Sequence, residues 1–180
     1  DLSSLNKNSL NQGVHRYIEG ILLSFKRKKK HNFQIYVNKE FFDYAKKNYS
    51  SKNFKIIILE KKNSIIKKFV TFFVITLGYL GINPQKFHYL MINILNKGNK
   101  KIIEKNSEVI IFLNAHENSY NLSISKIINF HDVLHKTLPN LLSKKEILLR
   151  NVIYENSSKS SDFVIASSNA VGNDFRKFLR

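Results

Sequence analysis

His131-Asp132 closes an apolar run, Ile127-Ile-Asn-Phe130, and is followed by Val-Leu-His-Lys-Thr-Leu-Pro139. A histidine at a strand end can donate a hydrogen bond or take a proton near neutral pH. Neighbouring strand residues point to opposite faces, so Asp132 is not automatically the partner of His131. Two further apolar runs end in the same way. Glu108-Val-Ile-Ile-Phe-Leu113 stops at Asn114-Ala-His116, and Phe163-Val-Ile-Ala166 stops at Ser167-Ser168. An open α/β sheet places its chemistry here, because the carboxyl ends of its strands face the crevice. Gly13 opens a helical pattern, where backbone N–H groups and the helix dipole favour an anion. A simple turn glycine is the alternative reading.

Other chemistries lack their residues. His116, His131 and His135 do not have the spacing of a zinc site. No Gly-x-Gly-x-x-Gly or Walker A loop is present. No serine sits in a nucleophile elbow, and no carboxylate pair suits glycoside hydrolysis. Without cysteine there is no disulfide framework and no thiolate metal site.

The elements that must position these residues follow from periodicity. Val14, Tyr17, Ile18, Ile21, Leu22 and Phe25 have the spacing of a buried helical face, with Lys26-Arg-Lys-Lys-Lys30 at its negative end. Asn32–Val37 reads as a strand, Lys39–Tyr49 as a helix and Phe54–Leu59 as a buried strand. This rhythm with short polar connections predicts a parallel sheet with crossover helices. Pro84 suits the first turn of a helix to about Asn96, Gly98 is placed to end it, and a short helical piece follows. Lys144 to Lys159 is helical, and Asn169–Leu179 forms a last helix capped by Ser168 or Asn169. Pro139 is expected to keep the following residues irregular.

At 180 residues the chain fits one domain with a real core. The formal charge of +17 suggests an anionic partner, although a lysine-, asparagine- and isoleucine-rich composition produces much of it without one. The uncharged segment Phe69–Leu77 follows Lys61, Lys62, Lys67 and Lys68. It is too short to span a bilayer. It fits either a buried helix or one lying in an anionic membrane surface. The chain begins with Asp1 and has one methionine, Met91, so it reads as a processed or trimmed piece; its polar first residues show no signal peptide.

Gln12-Gly-Val-His-Arg-Tyr17 with its helix resembles the Gly-x-x-Arg-Tyr loop of retaining GT-B glycosyltransferases, the large group that includes bacterial mannosyl- and glucosyltransferases. Phe130-His-Asp through Pro139 is similar to their His-Asp-then-Pro strand end. Arg150 followed by Asp162-Phe-Val-Ile-Ala-Ser-Ser168, Val171 and Asp174-Phe175 is similar to a third stretch. The matches occur in the family's order and span nearly the whole chain.

The resemblance implies a Rossmann-like α/β domain, an open and mainly parallel sheet flanked by helices and lacking its first strand. Residues 1–180 would be the N-terminal, acceptor-side domain of a two-domain enzyme whose C-terminal donor domain is absent. The implied reaction is transfer of a sugar from a nucleoside diphosphate sugar to a glycan or lipid-linked acceptor, with this fragment inactive alone. His131 would be catalytic, facing the transferred sugar. Gly13, Arg16, Asn114, Asp132 and Ser167 would bind substrate. No cofactor or metal is implied beyond the donor substrate. The expected location is cytoplasmic, with peripheral attachment to the inner membrane face. The +17 charge alone would also fit a basic nucleic-acid-binding module, but no nucleic-acid motif accompanies it, and nucleic acid is not an expected partner.

Overall fold

The computed structural model describes residue 2 and residues 13–60, 64–114 and 121–179. Helix α1 (Gly13–Lys26) leads to strand β1 (Phe33–Asn38), helix α2 (Lys39–Tyr49) and strand β2 (Phe54–Leu59). Three helices follow: α3 (Ser64–Tyr79), α4 (Gln85–Leu95) and α5 (Lys97–Asn106). Strands β3 (Val109–Phe112) and β4 (Ser125–Phe130) come next. A short turn of helix α6 (Leu134–Thr137), a 3-10 turn at Pro139–Leu141, α7 (Lys144–Ser160), β5 (Phe163–Ala166) and α8 (Asn169–Phe178) complete the chain.

All the paired strands are parallel. β1 and β2 pair along their full length, from Phe33 with Phe54 to Asn38 with Leu59. The other sheet has the order β3-β4-β5, with Ile111 opposite Ile127 and Ile127 opposite Phe163. Parallel neighbours need crossover connections. Here α2 supplies one between β1 and β2, and α7 supplies one between β4 and β5. The chain is a Rossmann-like open α/β fold, as its strand–helix rhythm predicts.

Side-chain alternation divides the core in two. Tyr36, Leu59, Ile110, Phe112, Ile128 and Phe130 pack on one face with Ile103 of α5, Tyr154 of α7 and Phe175 of α8. Ile35, Val37 and Leu113 pack on the other with Ile18 and Leu22 of α1 and Phe41 and Ala45 of α2. Strands covered on both faces need near-continuous apolar sequence, which explains Lys55-Ile-Ile-Ile-Leu59.

A third, smaller core joins Val70 and Val74 of α3, Leu95 of α4 and Val152 of α7. Gly78 lets α7 approach, since a Cβ there would meet Leu148 Cδ2 at 3.0 Å. α3 stops at Gly81, whose φ of +75° suits glycine. Two closing bonds accompany it, Ile82 N–H to Leu77 O at 2.9 Å and Gly81 N–H to Gly78 O at 3.2 Å.

Two expectations are corrected. Gly98 does not end a helix; it lies in the first turn of α5, and the break falls at Asn96. Asn96 is buried and turns its Nδ2 onto Ile92 O at 2.9 Å. Pro139 is followed by regular structure, because it opens the 3-10 turn at a position where its missing N–H costs nothing. α3 buries Val70 and Val74 and leaves Ile65, Phe69 and Phe72 exposed.

Candidate active site

β4 carries Ile128 and Phe130 to one core, so Asn129 and His131 share the opposite face, beneath α1. Tyr17, one turn into α1, meets both. Its hydroxyl donates to Asn129 Oδ1 at 3.2 Å, and its ring stands edge-on to the His131 imidazole with centroids 4.9 Å apart. Asn129 is fully buried, so this bond satisfies a group that would be costly to leave unpaired.

The tautomer of His131 follows from its partners. Nε2 lies 2.9 Å from Leu113 O, and a carbonyl can only accept, so Nε2 carries the proton. Asn129 Nδ2 is 3.0 Å from Nε2 and 3.4 Å from Nδ1. The amide therefore lies against the ring and not along the Nδ1 lone pair. Acid–base work through Nε2 requires it to give up the bond to Leu113 O for a substrate. Its backbone is also held: Ser167 Oγ donates to His131 O at 3.0 Å, and Ser167 N–H donates to Phe130 O at 3.2 Å. The ends of β3, β4 and β5 are thus joined through Leu113 O, the imidazole and the Ser167 hydroxyl.

Asp132 points elsewhere. Its Oδ1 accepts from Leu134 N–H at 3.0 Å, which starts α6, and from Arg150 Nη1 of α7 at 3.0 Å. That oxygen is a structural anchor between the strand end and α7, and Asp132 is not the partner of His131. Beside it lies buried His135, whose ring stands edge-on to Tyr154 at 4.7 Å. Neither nitrogen of His135 meets a hydrogen-bond partner among the described residues. Burial, with Lys136 and Arg150 nearby, pushes its pKa down to about 4. Burial also raises the Tyr154 hydroxyl to about 12.

The remaining expected residues surround this arrangement. Gly13 is exposed at the start of α1, and an added Cβ there would meet nothing within 4 Å among the described residues. Arg16 is exposed beside Tyr17. Asn114 is half-buried and follows Leu113, the residue that holds the imidazole. His116 lies outside the described residues. Ser168 caps α8, accepting from Val171 N–H at 3.2 Å. Among the described residues no group of three or more His, Asp or Glu is placed to hold a metal ion. The sequence did not single out Asn129 or the hydroxyl of Tyr17 for the site. The signal for Asn129 was its polarity two residues before His131 in an otherwise apolar run; Tyr17 had read as part of a buried helical face.

These contacts gather polar groups at the carboxyl ends of β3, β4 and β5, under α1. The protein is by class an open Rossmann-like α/β protein with polar groups at its strand ends. No family model matches the chain, and no curated protein or solved structure matches it.

Proposed function

We propose that this chain is the acceptor-side domain of a retaining nucleotide-sugar glycosyltransferase, moving a sugar from a nucleoside diphosphate sugar to a glycan or lipid-linked acceptor. The Tyr17–His131 contact carries the reading. It joins two stretches far apart in sequence, the glycine-started helix and the His-Asp strand end, which the resemblance independently requires on one cleft. Backbone N–H groups at Gly13 would face the donor phosphates, where a helix start favours negative charge. His131 would approach the transferred sugar by exchanging its bond to Leu113 O. Asn114 and Ser167 would supply hydroxyl-binding groups at its sides, and Arg16 a cation near the loop. Asp132 would contribute by fixing the strand end through Arg150.

The exposed side of α3 supports attachment to an anionic membrane, as a lipid-linked acceptor would require. Ile65, Phe69 and Phe72 are 72%, 63% and 66% exposed. Lys67, Lys68 and Lys145 line a shallow cleft with Phe72. No helix among the described residues is long and apolar enough to cross a membrane.

The test is transfer of labelled sugar from a panel of nucleoside diphosphate sugars to a membrane extract, using the longest product of the reading frame that contains this chain. His131→Ala is expected to lower kcat at least about 100-fold. The 180 residues alone are expected to bind donor weakly and to turn over nothing. Absence of transfer and of donor binding by the longest product would refute the proposal, as would full turnover by the 180 residues alone.

A further inference from the structure

The start of β4, the start of α4 and the end of α7 meet around a cavity of about 510 Å³. Two bonds hold the junction. Asn156 Nδ2 of α7 donates to Gln85 O of α4 at 3.2 Å, and Asp162 N–H donates to Lys126 O of β4 at 2.9 Å. The cavity lies at the opposite end of β4 from His131. Lys126 and His131 are about 16 Å apart along the strand, so one small ligand does not touch both.

Three cations from distant parts of the chain, Lys86, Lys126 and Lys159, line this cavity together with Tyr89 and Ser160. Among the described residues no carboxylate lines it. Two acids bear on it from outside the lining. Glu155 lies 3.7 Å from Lys159 Nζ, but it is shared with Lys136 at 3.9 Å and with Gln85. Asp162 Oδ2 accepts from Lys126 N–H at 2.7 Å. Helix stability accounts for only one of the lysines: Lys159, in the last turn of α7, complements the negative end of its dipole. Lys86 stands in the first turn of α4, where a cation opposes the dipole and no acid offsets it. Lys126 is 5% exposed, a degree of burial uncommon for lysine. Two of the three cations therefore sit where folding alone disfavours them.

We propose that this cavity binds a small phosphorylated ligand through two adjacent phosphate groups, with Lys86, Lys126 and Lys159 as their cations. Two joined phosphates carry about three negative charges near neutral pH, which matches three ammonium groups. The start of α4 adds partial positive charge, and the cavity has the size of a small-molecule site. Tyr89 is 37% exposed at its edge and offers a ring to the body of the ligand. Walls from three elements suit the end of a small molecule better than a flat bilayer or a long polyanion. The inference is independent of the glycosyltransferase reading.

The test is calorimetric titration with inorganic pyrophosphate of the longest product of the reading frame that contains this chain. Salt at about 150 mM screens diffuse attraction to the +17 surface. Saturable binding with Kd below about 1 mM is expected. Lys86→Gln with Lys159→Gln, both at exposed positions, should weaken it at least about tenfold. Lys29→Gln with Lys52→Gln removes the same charge from exposed positions elsewhere and should leave it unchanged. Glu155→Gln should tighten it, because Lys159 is then released to the ligand. Pyrophosphate bound at a donor site elsewhere keeps its affinity in the Lys86/Lys159 variant, so that variant isolates this cavity. No loss of affinity in that variant, or an equal loss in both lysine pairs, would overturn the proposal. Displacement of pyrophosphate by vesicles containing an anionic phospholipid would assign the phosphate to a lipid headgroup and overturn the small-molecule assignment.

Discussion

His135 is buried against Tyr154, has no partner for either nitrogen among the described residues and has a pKa lowered to about 4. An unfolded histidine titrates near 6.5. Between these values the unfolded chain binds the extra proton, so stability is lost as pH falls through that window. His88 acts in the same direction, since burial also lowers its pKa to about 4. We predict that His135→Phe keeps the edge-on contact with Tyr154 and is neutral or stabilising at pH 7.5, because it removes two unsatisfied nitrogens. Urea unfolding at pH 7.5 and 4.5 should show the variant losing about 2 kcal/mol less than the parent on acidification. Equal losses would mean that this imidazole finds a partner or titrates normally. The same local reasoning separates Asp132 from His131: the carboxylate serves Arg150 and Leu134, and the imidazole serves Leu113 and packs on Tyr17.

α7 connects β4 to β5 and contributes to two cores through Tyr154 and Val152. Its start is fixed by a reciprocal pair. Glu146 N–H donates to Ser143 Oγ at 3.3 Å, and Ser143 N–H donates to Glu146 Oε2 at 2.9 Å. These bonds to Ser143 hold the Glu146 carboxylate below its ordinary pKa. The pair is exposed and local, so its effect belongs to the helix. Ser143→Ala is expected to cost about 1 kcal/mol in chemical denaturation. It should leave the His131 resonances unmoved in NMR spectra. A shift at His131 would mean that the start of α7 also positions the crevice.

On the scale of the molecule, the charge of +17 and the exposed side of α3 act together. An apolar patch bordered by lysines binds best where acyl chains and anionic headgroups coincide. The chain is expected to co-sediment with vesicles containing an anionic phospholipid and much less with purely zwitterionic ones. Phe72→Asp should weaken the anionic-vesicle binding about tenfold without lowering Tm, because Phe72 is exposed. Binding that ignores the anionic lipid, or that survives Phe72→Asp unchanged, would remove the membrane from the account.

Sequence by itself determined the order and type of the main elements and the polar residues at the strand ends. Local patterns suffice for that: Ile-rich runs make buried strands, and each ends at a polar pair such as His131-Asp132 or Ser167-Ser168. The α6 turn and the stop at Gly81 escaped it. They depend on the Asp132 bond to Leu134 and on one backbone angle. Partnership was decided only by tertiary structure. Tyr17 and Asn129 are 112 residues apart, and their bond forms because α1 lies across the face that Asn129 and His131 share. Contacts at that separation are set by which face each helix covers, and periodicity identifies a face without naming the residue opposite it.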